Sequence, residues 1–71
     1  MKEVKEVMFL VEESEEGGYE AKALGYSIYT QAEDLESLKK AIRDAVKCHF
    51  EEERRPRVAI LHIVKDEILT L

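Results

Sequence analysis

The feature that most constrains this chain is a single amphipathic run between an acidic cap and a proline. In "EDLESLKKAIRDAVKCHFEEE" apolar residues fall at 35, 38, 42, 45, 46 and 49 or 50, the three-and-four spacing that gives a helix one apolar stripe. Asp34 stands where an N-cap belongs, its carboxylate able to accept from an otherwise unpaired backbone N–H, and Glu36 in the first turn suits the macrodipole. Pro56 lacks the amide a helix needs and restrains Arg55 before it. The spacing therefore predicts one helix from about 35 to 53. A helix with one apolar face needs a sheet to bury it, and the flanking sequence supplies strands.

Before the helix, Val7, Phe9 and Val11 alternate with Glu6, Met8, Leu10 and Glu12, a period of two that predicts a first strand over 4–12. "ESEEGG" follows as a solvated turn whose glycines can take positive φ. Tyr19, Ala21 and Ala23 then share one face with Glu20 and Lys22 on the other, a half-buried strand whose small residues leave room for the helix. Gly25 is expected at a two-residue hairpin turn or a bulge, with "YSIYT" resuming as a third short strand. After Pro56, "RVAILHIVK" is apolar apart from His62 and predicts a last strand over 57–65, central or covered on both faces. "DEILTL" leaves Ile68, Leu69 and Leu71 to fold back on the sheet or meet a partner. The expected fold is α+β, a three-stranded antiparallel meander, one helix and a fourth strand (β-β-β-α-β), in a single domain over residues 1–71.

At 71 residues a chain buries only about 60% of its unfolded surface on folding, so a partner or a second copy is expected to supply more burial. Charged residues are 38% of the chain and the net charge is -5. Such a chain lacks the basic field that neutralises phosphates, which argues against a direct nucleic-acid ligand; the acidity suits solubility first and a basic protein partner second. No stretch approaches the roughly 18 apolar residues needed to span a bilayer, and Met1 leads into "KEVKEV" instead of a signal peptide. A cytoplasmic protein with no membrane partner is expected.

Candidate chemistry is sparse. Cys48, His49 and His62 are zinc-ligand types, but adjacent helix residues diverge and only His62 can join from the sheet, so no metal and no other cofactor is expected. Cys48 reads as a semi-buried helix residue and His62 as a sheet histidine. Nothing orients a Cys–His pair for nucleophilic catalysis, so an enzyme is not expected. Tyr19, Tyr26 and Tyr29 lack the basic neighbours of a nucleic-acid stacking platform and read as sheet packing and interface lining. Lys47, Arg54, Arg55 and Arg57 form the one basic cluster, suited to gripping an acidic segment or to balancing nearby glutamates. The candidate partner interface is Tyr26, Tyr29, Arg54, Arg55, Arg57, Ile68, Leu69 and Leu71.

The order of elements, "GGY" opening the second strand and "TQAEDLESLKKAIRDAV" capping and forming the helix, resembles the HicB-like antitoxin family. Gly17, Gly18, Tyr19, Thr30, Gln31, Leu35, Glu36 and Leu38 fall on the family pattern. Ala32 replaces its glycine, Asp34 its threonine, and "LGYSI" its proline-glycine-cysteine segment. The resemblance implies a partial RNase H-like sheet with the helix on one face, and a domain that neutralises a small basic HicA-like mRNA-cleaving toxin. It implies no nuclease activity, because "MFLV" has no carboxylate where two-metal chemistry needs one in the first strand. A chain ending at Leu71 is expected to lack the family's DNA-binding module. The alternative is an orphan structural or ligand-binding domain that self-associates without a toxin.

Overall fold

The computed structural model of the chain describes residues 6–71. Strands β1 (Glu6–Glu13), β2 (Tyr19–Ala23) and β3 (Tyr29–Ala32) precede helix α1 (Leu35–His49), a short 3-10 turn at Glu52–Arg54 and strand β4 (Val58–Val64). The fold is α+β, with the β-β-β-α-β order that the periodicities predict. The sheet runs β3-β2-β1-β4, antiparallel between β1, β2 and β3 and parallel between β1 and β4. Residues 4 and 5 of the expected first strand lie outside the described residues.

Alternation along β1 divides the sheet. Val7, Phe9 and Val11 are buried under α1 with Ala21, Ala23, Ile28, Leu38, Ile42 and Val46. Phe9, Val11 and Leu38 are fully enclosed, each contributing about 1.5–3 kcal/mol of burial. The small side chains of Ala21 and Ala23 let the helix come down over β2 and β3. Glu6, Met8, Leu10 and Glu12 face the other way, and in-register neighbours in the sheet share a face. Glu20, Lys22, Tyr29, Gln31, Val58, Ile60, His62 and Val64 therefore form an open face with no helix over it.

Local chemistry sets the ends of the elements. Asp34 is extended (φ -140°) and its carboxylate accepts from Ser37 N–H at 2.7 Å, closing the first turn of α1. That bond holds the Asp34 carboxyl below its ordinary value of 3.8. In the β1–β2 turn Gly17 and Gly18 have φ of +96° and +87°. Gly17 N–H donates to Ser14 O, and Ser14 N–H donates back to Gly18 O.

Two boundaries differ from the sequence expectation. Helix α1 ends at His49, short of 53, because Phe50 turns extended (φ -106°, ψ 139°) while its N–H still donates to Val46 O. Its ring packs edge-on against Tyr26, with centroids 4.9 Å apart, and Glu51, Glu52 and Glu53 are exposed with no apolar surface to hold a further turn. The third strand begins at Tyr29, not at Tyr26. Ala23 N–H donates to Ile28 O, the register of a tight hairpin centred on Gly25 and Tyr26, but the chain leaves the ladder at once and Tyr26 turns toward the helix end. Ile28 then drops into the core.

The largest correction concerns β4. It is neither central nor covered on both faces: among the described residues it pairs only with β1, at the sheet edge, and Val58, Ile60, Ile63 and Val64 are exposed. The reason is the placement of α1 over β2 and β3, which leaves β4 outside the helix footprint. Beyond it, Lys65–Leu71 has no regular pairing. Ile68, Leu69 and Leu71 are exposed there and do not fold back on the sheet. The described chain accordingly measures 53 × 22 × 18 Å with a Cα radius of gyration of 13.8 Å, against about 11 Å for a compact chain of this length.

Candidate functional site

The offset between α1 and β4 opens a groove of about 490 Å³. Its floor is apolar: Val7 from β1, Ile42 and Val46 from α1, Ala59 and Leu61 from β4, and Pro56, which is buried. Its rim is cationic, with Lys39, Arg43 and Lys47 from the helix facing Arg55 and Arg57 from the connection into β4. Lys39 lies 3.5 Å from Glu36. The Nε of Arg55 is buried with no hydrogen-bond partner among the described residues. An anionic group seated in the groove would be held by the surrounding guanidinium and ammonium groups through charge-assisted hydrogen bonds.

The fold splits the candidate interface residues among five places. Arg55 and Arg57 reach the groove, while Arg54 is exposed on the 3-10 turn. Tyr26 is half-buried against His49 and Phe50 at the end of α1. Tyr29 lies on the open face, 57% exposed, and its hydroxyl is 3.1 Å from Glu20 Oε1 and 3.3 Å from Gln31 Oε1. One hydroxyl hydrogen serves one acceptor at a time, and the nearer, charged Glu20 is the stronger. That hydrogen bond raises the Tyr29 phenol above 10.0, with partial desolvation and the Glu20 charge adding to it. Ile68, Leu69 and Leu71 stand apart from all of these on the segment after β4.

Lys39 and Arg43 were not among the sequence candidates. Their signal was available, since 39, 43 and 47 repeat every fourth residue and run as one stripe beside Ile42 and Val46. Acidic residues collect at the opposite end of the sheet. Glu12, Glu13, Glu15 and Glu16 around the β1–β2 turn and Glu33 and Glu36 at the start of α1 are all exposed, and the register Tyr19↔Ala32 brings these two groups to one edge.

Cys48 is exposed, not semi-buried. His62 pairs with Leu10 and so sits on the open face, with the sheet between it and the helix that carries Cys48 and His49. Among the described residues no cluster of three or more His, Cys, Asp or Glu is placed to hold a metal ion. No helix among them is long and apolar enough to cross a membrane.

Two curated proteins are similar to this chain along most of their length. A UPF0150 protein of Archaeoglobus fulgidus is 58% identical over 53 residues, covering 75% of this chain and 79% of the relative. A UPF0150 protein of Thermotoga maritima is 47% identical over 66 residues, covering 93% of each. No family model matches the chain. No solved structure matches it.

Proposed function

The chain belongs to the UPF0150 family, and from its motif resemblance and charge distribution we propose that it is a non-enzymatic interaction module, a HicB-like antitoxin core that binds and neutralises a small basic HicA-like mRNA-cleaving toxin. The observation that carries this reading is the separation of charge. Five exposed glutamates, Glu12, Glu13, Glu15, Glu16 and Glu33, gather at the β1–β2 turn and the end of β3, away from the cationic groove. A basic RNA-cleaving protein presents cations where its substrate phosphates bind. An acidic end of this kind can occupy them, excluding the substrate and steering the encounter.

The uncovered apolar surface of β4 favours a second reading, a self-associating orphan domain without a toxin. Looking for a HicA-like ribonuclease in the adjacent reading frame, mixing it with the purified chain and following RNA cleavage separates the two. The antitoxin reading expects cleavage to stop near equimolar ratio, and expects Glu15→Lys with Glu16→Lys to weaken inhibition most at low salt, where exposed charges are least screened. Cleavage that continues at saturating chain, or a source lacking any such ribonuclease, leaves the orphan reading.

A further inference from the structure

We propose that the groove between α1 and β4 is the receptor for residues 65–71 of a second copy of this chain, exchanged reciprocally about a two-fold axis. Strand β4 presents a free edge among the described residues, and its unpaired N–H and C=O groups are a template for another strand. The segment Lys65–Leu71 matches β4 (Val58–Val64) residue for residue in length, about 23 Å when extended. It is exposed along its whole length among the described residues.

Symmetry then decides which side chains enter the groove. A two-fold axis perpendicular to a sheet leaves every side chain on the face where it started. Residues directly opposed across an antiparallel pair also share a face. Each residue of the exchanged strand therefore meets a residue of the same parity, whatever the register. In β4 the odd residues, Ala59, Leu61 and Ile63, lie on the helix face, because they pair with Val7, Phe9 and Val11. The incoming odd residues are Lys65, Glu67, Leu69 and Leu71. With the two seven-residue stretches matched as nearly end to end as parity allows, Leu69 and Leu71 reach the apolar floor, Glu67 comes opposite Leu61 or Ile63 on the side of the helix cations, and Lys65 stays at the end of β4, away from Arg55 and Arg57. The even residues, Asp66, Ile68 and Thr70, fall on the open face beside Ile60 and His62. The segment thus carries both properties the groove calls for, on the face that symmetry assigns to it.

The experiment is sedimentation equilibrium of the full chain without any toxin, so that its outcome is independent of the antitoxin reading. The wild-type chain is expected to dimerise. Leu69→Asp with Leu71→Asp is expected to raise the dissociation constant by tenfold or more, and Leu61→Asp likewise, while Thr70→Asp on the opposite face changes it less than threefold. Because residues 69 and 71 are exposed in the isolated chain, the first variant keeps the wild-type circular dichroism. Its emptied groove is expected to bind a fluorescent peptide of sequence KDEILTL, and Arg43→Glu with Arg57→Glu added to it abolishes that binding. A wild-type monomer throughout the accessible concentration range overturns the proposal. So does a dimer indifferent to Leu69→Asp with Leu71→Asp, or a peptide that the groove does not bind.

Discussion

The β1–β2 turn contains an internal experiment. Gly17 and Gly18 are adjacent and both take φ near +90°, so an alanine at either meets the same aversion of L-residues to left-handed backbone, about 1–2 kcal/mol. Alanine also restricts the unfolded chain, which returns about 0.4–1 kcal/mol to both variants. What differs is space. A Cβ on Gly17 meets nothing within 4 Å, whereas one on Gly18 stands 2.7 Å from the backbone oxygen of Ala32 and 3.4 Å from Glu33 Cα. A carbonyl in the β2–β3 ladder cannot swing aside like a side-chain tip. The last pair, Tyr19↔Ala32, must open or the turn must shift, an overpacking cost of about 1–3 kcal/mol.

Gly17→Ala is therefore expected to destabilise by about 1 kcal/mol or less and Gly18→Ala by about 2–4 kcal/mol. A chain of this size has a total stability of about 4–11 kcal/mol, so the second variant loses a large share of it. The assay is urea denaturation followed by circular dichroism, with all variants at one protein concentration, since association makes the midpoint concentration-dependent. In a thermal scan the same difference appears as more than about 5 °C between the variants. Equal losses would refute the reasoning, because they would mean that backbone strain alone sets the cost and that the approach of Gly18 to β3 is not tight.

Other substitutions and pH probe the remaining elements. Leu38→Ala, at a fully buried position, is expected to cost about 2.7–5 kcal/mol by leaving a cavity under α1, read from the same urea curves. A double-mutant cycle of Tyr26→Leu and Phe50→Leu, whose rings meet edge-on at 4.9 Å, is expected to show a coupling of about 0.5–1.5 kcal/mol. The Asp34 carboxyl is depressed by the Ser37 amide, so its stabilising contribution is full above the unfolded value of about 3.9 and is lost as pH falls through the lower folded value. In acid titration of unfolding, Asp34→Asn should flatten that part of the profile, and an unchanged profile counts against the cap. In alkaline titration by ultraviolet absorbance one phenol, Tyr29, should ionise late, and Glu20→Gln should bring it back toward its ordinary value.

The elements legible in the sequence are those whose cause is local. Asp34 caps α1 with an amide three residues away, the alternation of Val7, Phe9 and Val11 sets the face of β1, and the paired glycines supply the positive φ that the turn requires. Boundaries set by distant partners were not legible. Glutamates at 51–53 are good helix formers, yet the helix stops before them because Phe50 packs on Tyr26, which is close in space only once β2 and β3 have paired. The basic stripe of α1 was readable as a spacing but not as half of a site, because its other half, Arg55 and Arg57, arrives through the placement of β4.

Strand β4 carries the deeper lesson about reading apolar runs. A continuous stretch such as "VAILHIV" records that both faces of a strand are to be covered, and in a chain with a single helix the first inference is a central strand. The arithmetic of coverage shows why that fails. One fifteen-residue helix is about 22 Å long and 10 Å wide, enough to span two strands at about 4.8 Å spacing but not four. With Ala21 and Ala23 drawing it over β2 and β3, the described residues leave nothing for β4 except the seven that follow it. Those residues are exposed, so covering β4 requires a surface from outside the described chain. The same offset that exposes β4 creates the groove, and a cationic rim over an apolar floor suits an acidic, leucine-bearing strand better than a basic protein. On the two proposals above, a basic partner at the acidic end and a second copy at the groove would use different surfaces, so both contacts could form together.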